Sequence, residues 1–265
     1  MRRFTLFRVS VVTVAMLGVT MPCLSRAMDG AALRLGTSAT PRNIVIGFVG
    51  GFVSHDNLRH GPVQAARQIR ETAPQDTYVR VFENRRRKQA YKTVLRLLDT
   101  NRDGVLSTAE KARARIILFG HSWGAAAAVL LARDLRREGI PVLLTVQVDS
   151  VAKLWQNDSV IPDNVAEAVN FYQPHGILHG RKRITAADPA KTEILGNYRM
   201  DYREDPVGCR AASWLEGILT PGHMQSECDP RLWSRIETMV QQRLLSPDTA
   251  PTVSAAISAP VPPQP

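Results

Sequence analysis

A serine stands between glycines at Gly120-His121-Ser122-Trp123-Gly124, after the apolar run Ile116-Ile117-Leu118-Phe119 and before an alanine-rich stretch that begins at Ala125. On a strand-to-helix turn this pattern lifts the hydroxyl clear of its surroundings, because the flanking positions must lack side chains for the turn to close. A serine hydroxyl is a poor nucleophile at neutral pH. It needs a base within hydrogen-bond reach, and the base needs an acceptor to fix its tautomer. Of six histidines, His121 lies in the turn, His55 and His60 precede it, and His175, His179 and His223 follow. His223, in Pro221-Gly222-His223, lies farthest past the last predicted strand, just before the closing helix, and is the favoured base; His175 and His179, which follow that strand closely, are the alternatives. Asp149 ends the apolar run from Val142 to Val148, and catalytic groups gather at the carboxyl ends of parallel strands. Asp188 and Asp201 are substitutes for it. The backbone N–H of Trp123 is a candidate donor to a developing oxyanion.

A second constellation runs from Asp99 to Glu110. Asp99, Asn101, Asp103, Ser107 and Glu110 place oxygen ligands at positions 1, 3, 5, 9 and 12 of an EF-hand-like calcium loop, with Gly104 at position 6 and the carbonyl of Val105 at position 7. A single loop predicts weak, structural calcium binding; the competing reading is a capped helix-to-helix turn that takes no metal. No glycine-rich nucleotide loop or zinc-type cluster is present, so no organic cofactor is expected.

The chain carries 34 Lys and Arg against 24 Asp and Glu, a net charge of +10. Its start resembles an export signal: Arg2, Arg3 and Arg8, an apolar run from Val9 to Met21, and small residues at Ser25 and Ala27. Cleavage after Ala27 removes four of the arginines, and the remaining cations are spread out without the aromatic pattern of a nucleic-acid module. The expectation is an exported protein, periplasmic or secreted, that neither binds nucleic acid nor stays inserted in a membrane. Cleavage also removes Cys23, leaving Cys209 and Cys228 as an expected disulfide. Such a bridge closes a loop of about twenty residues and contributes on the order of 3 kcal/mol.

These side chains need a frame. Asn43–Val49 is an apolar, β-branched run stopped by Gly50-Gly51, and reads as a buried strand. A helix follows over 62–73, a strand over 77–82, a helix over 87–98, a strand over 116–119, a helix over 123–137, and strands over 142–148 and 165–172. Strands that are apolar along their whole length, alternating with helices, imply an α/β fold with a mostly parallel sheet covered on both faces. Periodicity then fades until a closing helix over 230–245. Residues 246–265 are rich in Pro, Ala, Ser and Thr and read as a disordered tail, leaving one domain over 28–245.

From about Asn43 to Leu245 the chain resembles the α/β-hydrolase superfamily, with a reduced strand number. The serine elbow is the specific part of that resemblance; the rest is order and spacing. The resemblance implies a nucleophile, an acid and a histidine in that chain order, hence Ser122, Asp149 and His223. It also implies a second oxyanion donor after the first strand, at Gly51 or Phe52. Most relatives carry the acid one strand later, where this chain has Asn170-Phe171-Tyr172-Gln173-Pro174 and no carboxylate. The function expected is hydrolysis of a small-molecule or lipid ester through an acyl-enzyme. The alternative is a calcium-stabilised binding or scaffold protein on the same fold.

Overall fold

The structure, a computed structural model, describes residues 41–209 and 221–246. The expected export segment, 1–27, and all of the expected tail except Ser246 lie outside the described residues.

The strands are β1 (Asn43–Val49), β2 (Thr77–Glu83), β3 (Arg115–His121), β4 (Val142–Val148), the short β5 (Val160–Ile161), β6 (Val165–Tyr172), the short β7 (Thr185–Ala186) and β8 (Glu193–Arg199). The helices are α1 (Gly61–Thr72), α2 (Arg87–Leu98), α3 (Thr108–Ala112), α4 (Trp123–Arg137), α5 (Pro221–Cys228) and α6 (Pro230–Leu245). Six strands form one sheet in the order β2-β1-β3-β4-β6-β8, with every neighbouring pair parallel; β5 and β7 pair separately.

Alternate residues along a strand point to opposite faces. Ile44, Ile46, Phe48, Ile116 and Leu118 pack with Ala90 and Val94 of α2 and with Ala128, Leu131 and Leu135 of α4. Val45, Val49, Ile117 and Phe119 pack with Ala66 and Ile69 of α1 and with Trp233, Ile236 and Val240 of α6. Both faces are therefore covered, which is why these strands are apolar without alternation. Phe48 and Phe119 are fully buried on opposite faces, and each burial contributes about 2–3 kcal/mol. The architecture is the α/β fold expected from the alternating elements.

Strand order reverses between β1 and β3: the chain leaves β1 for β2 on one side and returns to β3 on the other. In open parallel sheets the crevice outside the carboxyl ends at such a reversal is where ligands bind. The turns carrying Gly51 and Ser122 rise from these two strands.

Besides the two-residue strands β5 and β7, two elements depart from the sequence-based expectation. Strand β8 extends the sheet where periodicity had faded. It is an edge strand, mostly half-buried, interrupted by Gly196 and by a register shift against β6, so it lacks an apolar run. His223, expected on an irregular loop, sits in the first turn of α5.

Candidate functional site

The elbow forms because α4 approaches both β3 and β1 more closely than side chains allow. A Cβ on Gly120 would lie 2.5 Å from the backbone of Gly124, and one on Gly124 would lie 2.3 Å from the carbonyl oxygen of Phe48. Ser122 has φ 56° and ψ −126°, a conformation that costs a β-carbon residue about 1–3 kcal/mol and persists only where its surroundings impose it. Its N–H donates to Val148 O at 3.0 Å, and its carbonyl accepts from Val151 N at 3.3 Å. The turn is thus tied to the end of β4, which carries Asp149.

Asp149 is fully buried and accepts four hydrogen bonds. Oδ2 takes Nδ1–H of His223 at 2.6 Å and Nε2–H of Gln173 at 3.0 Å; Oδ1 takes the N–H of Gly180 at 2.6 Å and of Gln173 at 3.3 Å. Burial pushes this carboxyl up. The hydrogen bond and charge of His223, the charge of His121 and the Gln173 amide outweigh burial and hold it below the ordinary aspartate range. The carboxylate accepts and Nδ1 of His223 donates, so Nε2 is left as the proton acceptor of the neutral ring.

The ring of His223 packs 4.6 Å, centroid to centroid, from the ring of His121 in the elbow. No hydrogen bond joins Ser122 Oγ to His223 among the described residues.

Gly50 lies against the serine, since a Cβ there would come within 2.8 Å of Ser122 Cβ. Gly51 follows with φ 46°, and its carbonyl accepts from Asn84 Nδ2 at 2.6 Å, which fixes the orientation of the Gly51-Phe52 peptide. The Trp123 N–H, first in α4, has no acceptor within its helix. Phe52 meets the Trp123 ring edge-on at 5.8 Å, and Lys153 Nζ lies over that ring at 4.7 Å.

The other candidates sit elsewhere. His175 pairs with Asp201 at 3.2 Å, and His179 contacts the carbonyl of Gly180 at 3.4 Å. Asp188 accepts from the N–H of Ala190. None of these side chains is hydrogen-bonded to Ser122 or Asp149. Gln173 and Gly180 complete the set of donors around the Asp149 carboxylate; the only trace of them in the sequence is a polar residue, Gln173, just past the carboxyl end of an apolar strand.

Cys209 and Cys228 are joined, with Cα atoms 6.1 Å apart, and the bridge brackets His223. In the 99–110 loop, Asp99 Oδ2 accepts from Gly104 N, Asn101 Oδ1 from Asp103 N, and Asp103 Oδ1 from Val105 N. Glu110 is differently engaged. Its Oε1 accepts from the N–H and hydroxyl of Thr100, and its Oε2 from the N–H and hydroxyl of Ser107, a capping box at the start of α3. Led by the Ser107 backbone amide and the Thr100 hydroxyl, these donors pull its carboxyl down to about 2. Asp99 Oδ1 is buried without a hydrogen-bond partner. Among the described residues, no group of three or more His, Cys, Asp and Glu side chains is arranged to hold a metal ion.

No protein-family model matches this chain, and no curated protein sequence matches it. Solved structures do. Human thioesterase 2 is similar at 11% identity over 77% of this chain and 96% of that one, with a TM-score of 0.41. A thermostable esterase from Pseudomonas putida is similar at 10% identity over 76% and 73%, TM-score 0.41. A cutinase-like protein from Cryptococcus sp. is similar at 13% identity over 76% and 94%, TM-score 0.37. The fold assignment follows from the sheet order and not from these likenesses.

Proposed function

We propose that the protein is a serine hydrolase that cleaves an ester or related acyl bond through an acyl-enzyme. The observation that carries this reading is the buried Asp149–His223 pair, bonded at 2.6 Å and packed beside a strained serine elbow. Ser122 Oγ attacks the acyl carbon while Nε2 of His223 takes its proton. Asp149 holds the ring in the required tautomer. The oxyanion is bound by the N–H of Trp123 and that of Gly51 or Phe52. The proton then passes from His223 to the leaving group, and a water deprotonated by the same ring releases the acyl group.

Apolar substrates fit the rim. Phe52, Leu154, Trp155 and Ile177 are all exposed, Trp155 completely, and all lie on loops that follow β1, β4 and β6 at the edge that carries Ser122. A small-molecule or lipid ester with an apolar acyl part is the substrate class proposed, with no nucleic-acid partner. Export is also proposed, supported by the signal-like start and by a disulfide pair of the kind that persists in oxidising compartments. No helix among the described residues is long and apolar enough to cross a membrane.

Calcium at the 99–110 loop is a separate proposal. The donors are all oxygens, as calcium requires, and Asp99 Oδ1 lacks a partner. Glu110 must release the hydrogen bonds from Thr100 and Ser107 to become a ligand, which favours weak binding with a structural effect on the α2–α3 connection.

Labelling with a fluorophosphonate tests the hydrolase reading. The wild-type protein reacts rapidly at one site, and Ser122→Ala does not react. Wild-type protein that labels no faster than Ser122→Ala is a scaffold on a hydrolase-like fold.

A further inference from the structure

Beneath His223 lies a second set of polar side chains that the proposed reaction leaves unused. His121 is 2% exposed, Ser226 1% and Glu227 6%. Glu227 follows His223 by one helical turn on α5, so the two project from the same side. Nε2 of His121 lies 3.2 Å from the backbone carbonyl oxygen of His223 and 3.2 Å from Ser226 Oγ. A carbonyl only accepts, so Nε2 carries the proton. The Ser226 hydroxyl donates to the same carbonyl at 2.8 Å. Two donors therefore hold the backbone of the base, and one of them belongs to the residue next to the nucleophile.

With its proton on Nε2, Nδ1 of His121 is bare. It has no hydrogen-bond partner and lies 3.6 Å from Glu227 Oε1. That oxygen accepts Nδ1–H of His60 at 2.6 Å, and the Glu227 carbonyl accepts Trp233 Nε1–H at 2.8 Å. The start of α1 reaches this point because residue 61 is glycine: a Cβ there would lie 2.3 Å from the Glu227 carbonyl oxygen. Burial pushes the Glu227 carboxyl up, but the charges that His121, His60 and His223 carry when protonated in acid, with the His60 hydrogen bond, outweigh it and hold it below the ordinary glutamate range. Burial pushes His121 down to about 4, so its ring is neutral at neutral pH. The ionisable groups facing His223 are then Asp149 in contact, the His121 ring packed on it, and Glu227 one turn along its own helix. Those facing Glu227 are His60, His121 and His223.

We propose that His121 and Glu227 are positioning residues for His223: His121 fastens the backbone of the base to the elbow, and the Glu227 carboxylate, held by His60, is a second buried negative charge favouring the imidazolium formed when Ser122 gives up its proton. The inference rests on the reading of Ser122 and His223 as nucleophile and base.

The test is the pH dependence of fluorophosphonate labelling on the full chain. Glu227→Gln preserves volume and an acceptor for His60 but removes the charge, so the imidazolium forms less readily. Its acid limb moves to lower pH by about half a unit to one unit, and its plateau rate falls. His121→Phe lowers the rate about ten- to a hundred-fold at every pH, while His121→Gln, whose amide can donate from the same place, recovers most of it. An unmoved acid limb in Glu227→Gln overturns the electrostatic role, and a wild-type rate in His121→Phe overturns the clamp. Nitrogen-15 histidine spectra of the unsubstituted protein give an independent check: the clamp requires the Nε2–H tautomer of His121 at neutral pH, and the Nδ1–H tautomer excludes it. Wild-type protein inert at every pH, with that tautomer present, instead sinks the hydrolase reading.

Discussion

Asp149→Asn tests whether Asp149 orients His223 as the base of the proposed reaction. The substituted side chain keeps one oxygen, which can still accept the amides of Gly180 and Gln173, now met by Asp149 Oδ1 at 2.6 and 3.3 Å. Its nitrogen replaces the oxygen that receives His223 Nδ1–H at 2.6 Å. Two donors cannot face each other, so the imidazole must move its proton to Nε2, the atom that accepts the proton of Ser122 in the proposed reaction. Turnover should fall about 10⁴-fold, equivalent to about 5.5 kcal/mol of transition-state stabilisation. Stability should change much less. Gln173 Nε2 loses Asp149 but keeps Leu178 O at 3.0 Å, so the net cost is about one hydrogen bond, roughly 1 kcal/mol, or a few degrees in Tm. The assay is the steady-state rate on a p-nitrophenyl ester together with the labelling rate at matched pH, with a thermal melt alongside. A rate within tenfold of wild type, on protein that still melts cooperatively, would show that Asp149 does not orient the base.

Other substitutions test the frame and the loops. Gly124→Ala places a Cβ 2.3 Å from the Phe48 carbonyl oxygen; we expect a stability loss of about 1–3 kcal/mol with little remaining labelling, and a melt like that of the wild type would contradict the close approach of α4 to β1. Reducing the Cys209–Cys228 bridge should lower stability by about 3 kcal/mol, read from urea melts with and without reductant, with free thiols counted on the denatured protein. For the 99–110 loop, calorimetry with millimolar calcium should show weak binding that Asp99→Ala removes; no heat at that concentration leaves a capped turn and no metal site.

Residues local in sequence announced most of the frame. Apolar runs stopped by Gly50-Gly51, Gly139 and Pro141 reported strands and helices because burial on both faces of a sheet imposes a composition that any short window displays. The elbow was equally legible, since the approach of α4 to β3 and to β1 demands glycine at 120 and 124, and both glycines fall within five consecutive residues. Ser122 could be singled out in this way. Asp149 is marked by its place at a strand end, and His223 only by the chain order that the resemblance implies.

What lay beyond reach was decided through space. Strand β8 is half-exposed at the sheet edge, so no hydrophobic run marks it, and the parallel partner that orders it is β6. The bond between Asp149 and His223 spans 74 positions, and only the assembled sheet, with α5 laid across its carboxyl edge, brings the two together. Gln173 and Gly180 matter through one amide pair and one main-chain N–H aimed at a buried oxygen, which residue type does not encode. The contacts of Glu227 with His60 and His121 bring together the residue before α1, helix α5 and the end of β3, elements whose approach depends on how they pack. Side-chain periodicity records which face of an element is buried; it carries no information about which distant polar atom that face will meet, and that is set when helices close over the sheet.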